Sequence, residues 1–158
     1  MATNMKKVKL RLSNPDSWMT NNHGIYDCYV APSINESLDQ IPKGVNPRDI
    51  DVTNPIVKEI IQSFLKNDNV FLANNGGMQI LIENDSFKVN GFDVSFDCKG
   101  LLGGHYDGQH TQYAVCKAVE QLTGEDISNQ VKLTLVEKRV HKNVKSIRQS
   151  QRNVNKRT

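Results

Sequence analysis

Between residues 92 and 122 the hydrophobic period of this chain changes once, and a glycine-rich polar stretch sits at the change. Phe92 to Asp97 reads Phe-Asp-Val-Ser-Phe-Asp, the alternation of a strand with one buried face and Phe92, Val94 and Phe96 on that face. From Gln109 to Leu122 the apolar residues Ala114, Val115, Ala118, Val119 and Leu122 recur at helical spacing instead. Between them lies Gly103-Gly104-His105-Tyr106-Asp107-Gly108-Gln109-His110-Thr111. A strand, a polar loop and a helix in that order require a mixed architecture, and the loop is where a site is expected. Its glycines let the backbone bend and approach a ligand. The amides that open the following helix would point at an anion.

The same reading along the chain predicts an α+β domain. Lys6 to Leu12 alternates basic and apolar residues as an edge strand with one wet face. Residues 17 to 55 are rich in Asn, Pro, Ser and Asp and read as irregular, with Trp18, Tyr26 and Tyr29 as isolated anchors and one short strand, Ile25 to Val30. Asn54 suits a helix cap and Pro55 the first helical turn. Ile56, Val57, Ile60, Ile61, Phe64 and Leu65 then form one apolar face. Val70 to Ala73, Met78 to Glu83, Ser86 to Val89 and Val131 to Val136 read as strands. Asn90-Gly91 reads as a hairpin turn, Asp107 as the cap of the helix from Gln109, and His141 to Gln151 as a basic helix.

At 158 residues the chain is long enough for one domain with its own core. No apolar run reaches the length of a membrane span, and the N-terminus lacks the apolar stretch of a secretory signal. Cys28, Cys98 and Cys116 are odd in number and carry no CxxC spacing, so reduced thiols in a cytoplasmic protein are expected. The net charge of +3 hides an asymmetry. From Lys138 onward there are eight basic residues and no acidic one, whereas the first 137 residues hold twelve basic and seventeen acidic. Such a block is either a phosphate-contacting arm or a solvated helix.

Three polar segments stand beside these elements. In the first, Asn46-Pro47-Arg48 makes a turn whose Arg48 fork can grip a phosphate or carboxylate, or pair with a surface acid. In the second, Asn74-Asn75-Gly76-Gly77, carboxamides and open backbone amides can hold a polar ligand, or the four residues can form a hairpin turn. The third is the stretch around Asp107. There His110 can donate to an anion, act in acid–base chemistry or bind metal. No second ligand stands at the spacing of a helical histidine pair, and Cys116 falls among the apolar residues of its helix.

Taken in order, Gly44-Val45-Asn46-Pro47-Arg48, Phe71-Leu72-Ala73-Asn74-Asn75-Gly76 and Asp107-Gly108-Gln109-His110-Thr111-Gln112 resemble motifs of the AIPR family, named for abortive-infection phage resistance. The resemblance covers about residues 40 to 155, and Ile147 to Asn153 is similar to a further segment of that family. More distantly, Asp107-Gly108-Gln109-His110 resembles the DGQHR-domain proteins of DNA phosphorothioation systems and the ParB/sulfiredoxin superfamily. Those proteins usually carry arginine where this chain has Thr111, so a bidentate phosphate ligand is missing.

The resemblance implies a ParB/sulfiredoxin-like mixed sheet with flanking helices. It implies a core over 40–137, preceded by an irregular region over 1–39. A basic tail over 138–158 would follow, with the whole chain corresponding to the N-terminal portion of longer family members. The expected function is prokaryotic or phage-encoded antiviral defence through binding of nucleotide or nucleic-acid phosphates. Asn46, Arg48, Asn74, Asn75, Gly76, Gly108, Gln109, His110 and Thr111 would hold the phosphate, and Lys142, Lys145, Arg148 and Arg152 would contact nucleic acid. One alternative is a metal-dependent nuclease or nucleoside-triphosphate hydrolase with Asp107 and His110 as catalytic groups and Mg²⁺ on Asp97 or Asp107. Another is a truncated, non-catalytic homologue acting through a full-length protein partner; a homo-oligomer of the chain itself is also expected as an option.

Overall fold

A computed structural model describes residues 5–21, 23–32, 38, 41–42, 53–99, 103–122 and 124–141. They form a mixed α+β fold with two sheets. Strands β1 (Met5–Arg11), β6 (Asp93–Lys99) and β5 (Lys88–Asn90) make an antiparallel sheet in the order β1-β6-β5. Strands β2 (Trp18–Thr20), β3 (Ile25–Val30), β8 (Val131–Glu137), β4 (Met78–Ile82) and β7 (Gly104–Asp107) make the second, in that order. Within it β4 and β8 run parallel and the other pairs antiparallel. The helices are α1 (Pro55–Leu65), α2 (Phe71–Asn74) and α3 (Gln109–Gln121), and α1 packs on α3.

Period-two patterning places each strand. In β1 Val8 and Leu10 are buried while Lys7, Lys9 and Arg11 face outward. Opposite them Phe96 and Val94 point inward, and Asp97, Ser95 and Asp93 outward. In the larger sheet, Leu133 and Leu135 of β8 lie between Cys28 and Tyr26 of β3 and Met78 and Ile80 of β4. These inner faces join one core with Phe64, Phe71, Val115 and Ala118. Phe64 and Phe71 meet edge to face at 5.1 Å, the arrangement ring quadrupoles favour.

Helix α1 starts as its sequence dictates. Asn54 caps it, its Oδ1 accepting from the Ile56 amide at 2.9 Å, and Pro55 opens the first turn. Val57 and Phe64 are buried and Ile60, Ile61 and Leu65 partly so, but Ile56 is exposed. The helix ends under Asn129, a buried side chain whose Nδ2 donates to the Phe64 carbonyl at 2.7 Å. That bond satisfies one of the carbonyls a helix end leaves open.

Five expectations are corrected. Residues Val70 to Ala73 do not form a strand: Phe71–Asn74 is the short helix α2, set by a turn in which Asn67 and Asn69 take positive φ and Asp68 Oδ1 accepts from the Val70 amide. The segment 17–24, read as irregular, contains β2, paired to β3. The glycine-rich stretch is not all loop, because Gly104–Asp107 is strand β7 against β4. The cap of α3 is Gly108 rather than Asp107, with φ +94° and no side-chain capping bond. Phe92, placed on the buried face from its sequence, sits in the β5–β6 turn and is 39% exposed.

Candidate functional site

Two of the three polar segments meet in space. The antiparallel pairing of β4 with β7 sets Asp107 opposite Gln79 and brings the start of α3 against the residues that lead into β4. Asn75 Nδ2 lies 3.4 Å from Thr111 Oγ1, a contact across 36 residues of chain. The same Asn75 folds its own segment, its Oδ1 accepting from the Gly77 amide at 2.8 Å. Gly108 is pressed onto this corner: a Cβ there would lie 2.7 Å from Met78 Cα and 2.9 Å from the Gly77 carbonyl oxygen. Its positive φ and the lack of space both demand glycine.

The corner mixes closed and open positions. Thr111 and Gln112 are buried, and Gln112 Nε2 donates to the carbonyls of Leu38 at 2.9 Å and Ile41 at 3.4 Å. Asn74 and Gly76 are exposed and His110 is half-buried. A Cβ on Gly76 would meet nothing within 4 Å, so the backbone there is open to approach. With Gly108 as cap, the first amides of α3 receive no side-chain capping hydrogen bond. Such amides, with the positive end of the helix dipole, favour an anion.

A concavity lies elsewhere, between residues of the two sheets. It is an open groove of about 960 Å³ lined by Trp18, Tyr26, Phe87, Val89 and Arg139, with His23 at its rim. Tyr26 stacks on Phe87 at 4.1 Å, and Trp18 tilts against Phe87 at 5.6 Å. Beneath it Glu137 is fully buried. It accepts from the Asp85 amide and from Arg139 Nε at 3.1 Å and Nη2 at 2.8 Å. Arg139 Nη2 also reaches Asp85 Oδ1 at 2.9 Å. These bonds to Glu137 and Asp85 hold the guanidinium above its ordinary pKa. Burial, then the carboxylate of Glu137, raises the Tyr26 phenol above its ordinary pKa.

Sequence reasoning did not find this groove. In the sequence Trp18 and Tyr26 stand as isolated anchors, and Arg139 belongs to the basic block that begins at Lys138. The available signal was Glu137, which continues the buried side of β8 after Val131, Leu133 and Leu135. A carboxylate in an apolar row needs a cation or amide beside it.

Other expected site residues lie elsewhere. Asn46, Arg48, Lys142, Lys145, Arg148 and Arg152 lie outside the described residues. Asp97 belongs to β6 and Asp107 to β7, strands of different sheets. Among the described residues no three His, Cys, Asp or Glu side chains come together as a metal-binding group. Cys28 and Cys98 are free and buried, and Cys116 is half-buried in α3. No helix among the described residues is long and apolar enough to cross a membrane. Comparison with protein families, with curated proteins and with solved structures finds no match.

Proposed function

We propose that the corner formed by Asn74–Gly77 and Gly108–Thr111 binds a phosphate group of a nucleotide or nucleic acid. In this reading the chain serves antiviral defence of the abortive-infection type, built on a ParB/sulfiredoxin-like sheet, as its motif resemblance implies. The observation that supports it is the meeting of Asn75 and Thr111 beside a helix start capped by glycine alone. A phosphate oxygen there is offered backbone amides of α3, the open backbone at Gly76 and the imidazole of His110. Thr111, where relatives carry arginine, accepts from Asn75 and stays buried. It fixes the corner and leaves anion binding to the amides.

Calorimetric titration of the full chain with ATP, CTP and inorganic phosphate tests the reading. His110→Ala is expected to weaken binding several-fold, roughly the loss of one hydrogen bond to a charged group, with an unchanged melting temperature. Gly76→Ala is expected to fold normally and to bind more weakly, because the methyl intrudes where the phosphate approaches. Wild-type affinity in both variants, or no binding of any of the three, overturns the proposal.

A further inference from the structure

The three-stranded sheet turns a basic face outward. Register puts Lys7, Lys9 and Arg11 of β1, Lys88 of β5 and Lys99 of β6 on the side opposite the core, against Asp93 and Asp97. Outside this face the first 137 residues carry seven basic and fifteen acidic residues. The surplus of cations is therefore local and runs against the balance of its surroundings. Lys7, Lys9 and Lys88 are exposed and make no ion pair among the described residues.

Spacing gives the patch a direction. Alternate residues on a strand are about 7 Å apart, so Lys7, Lys9 and Arg11 form a row of like charges, each within one Debye length of the next. Lys9 and Lys88 face Ser95 from its two sides, about 10 Å apart across β6. At the end of the row Phe92 is exposed, with the Arg11 guanidinium 5.0 Å from its ring centre. Like charges so arranged repel one another, and a polyanion laid along the row relieves that repulsion. A flat basic strand face ending in an exposed ring also matches how proteins hold unpaired bases: phosphates on cations, a base on an aromatic.

We propose that the outer face of β1-β6-β5 binds single-stranded nucleic acid, with its backbone along Lys7, Lys9 and Arg11 and a base stacked at Phe92. This surface is separate from the corner at Gly108. Fluorescence anisotropy of the full chain with a labelled oligothymidylate, over roughly 50 to 200 mM salt, tests it. The triple variant Lys7→Gln/Lys9→Gln/Lys88→Gln is expected to bind at least about tenfold more weakly, its salt slope shallower by about 2. Phe92→Ser is expected to lose about tenfold with the slope unchanged. Ser95→Glu, which sets a carboxylate between Lys9 and Lys88, provides an independent variant should the triple one fold poorly. Wild-type affinity in folded face variants overturns the proposal. Loss of all binding in Lys142→Gln/Lys145→Gln/Arg148→Gln/Arg152→Gln alone also overturns it. So does preference for duplex DNA, for polyphosphate or for anionic lipid vesicles over the oligonucleotide.

Discussion

Cys28 and Cys98 show how far burial carries the chemistry of single residues. Desolvation, then the neighbouring Asp27, raises the Cys28 pKa from 9.0 to about 12. Desolvation, then Asp97 and Glu83, does the same for Cys98, with Lys138 opposing. Below pH 9 both thiols are protonated in the folded and unfolded chain alike and add no pH dependence. Above it the unfolded chain releases protons that the folded chain retains. Stability therefore falls as pH rises toward 12, by about 1.4 kcal/mol per pH unit for each thiol. Urea midpoints on either side of pH 9 are expected to show this decline, and Cys28→Ala/Cys98→Ala to flatten it. A slope identical in the variant would show that the thiols are not its source. Thr111 gives a second case. Its buried hydroxyl accepts from the Asn75 carboxamide, which ties the start of α3 to the residues before β4.

At the scale of elements, the glycines separate into those that packing demands and those it does not. In β7, Gly104 has φ +107°, and a Cβ there would lie 2.3 Å from the Pro42 carbonyl oxygen. Gly104→Ala is expected to cost at least about 2 kcal/mol, from backbone strain plus overpacking. Gly76→Ala is expected to leave the melting temperature within a degree or two of the wild type, because its surroundings are open. Equal losses in the two, measured by thermal unfolding, would contradict this account of β7. The same contrast explains what was legible beforehand. Long periodic elements with local signals, α1 behind Asn54-Pro55, β6 and α3, are where their sequences place them. β7 and α2 are not, since four residues cannot reveal a period. What decides them is non-local: β4 alongside Gly104, and Phe64 against Phe71. For the site, the sequence supplied the residues of the corner but not the contact that joins Asn75 to Thr111. It gave no notice of the groove, whose walls come from β2, β3, β5 and the residues after β8.

For the whole molecule, two sheets and the helices share one hydrophobic core, so the described residues should unfold together. The single tryptophan, Trp18, sits at the sheet edge against Phe87 beside β5, where it senses both sheets. Its fluorescence and far-ultraviolet circular dichroism are expected to give the same urea midpoint. Two separated midpoints would mean that the sheets are independent. The position of β8 carries a further consequence. Among the described residues it is the last strand in sequence, yet it lies in the middle of the larger sheet, between β3 and β4. During synthesis β3 and β4 must therefore wait with open edges until residues 131–137 leave the ribosome, and only then can β8 join them. Until that moment the apolar faces of both strands are exposed to other chains. The nascent chain is thus especially vulnerable to aggregation just before β8 emerges, and a chaperone that shields β3 and β4 during that interval would raise its yield.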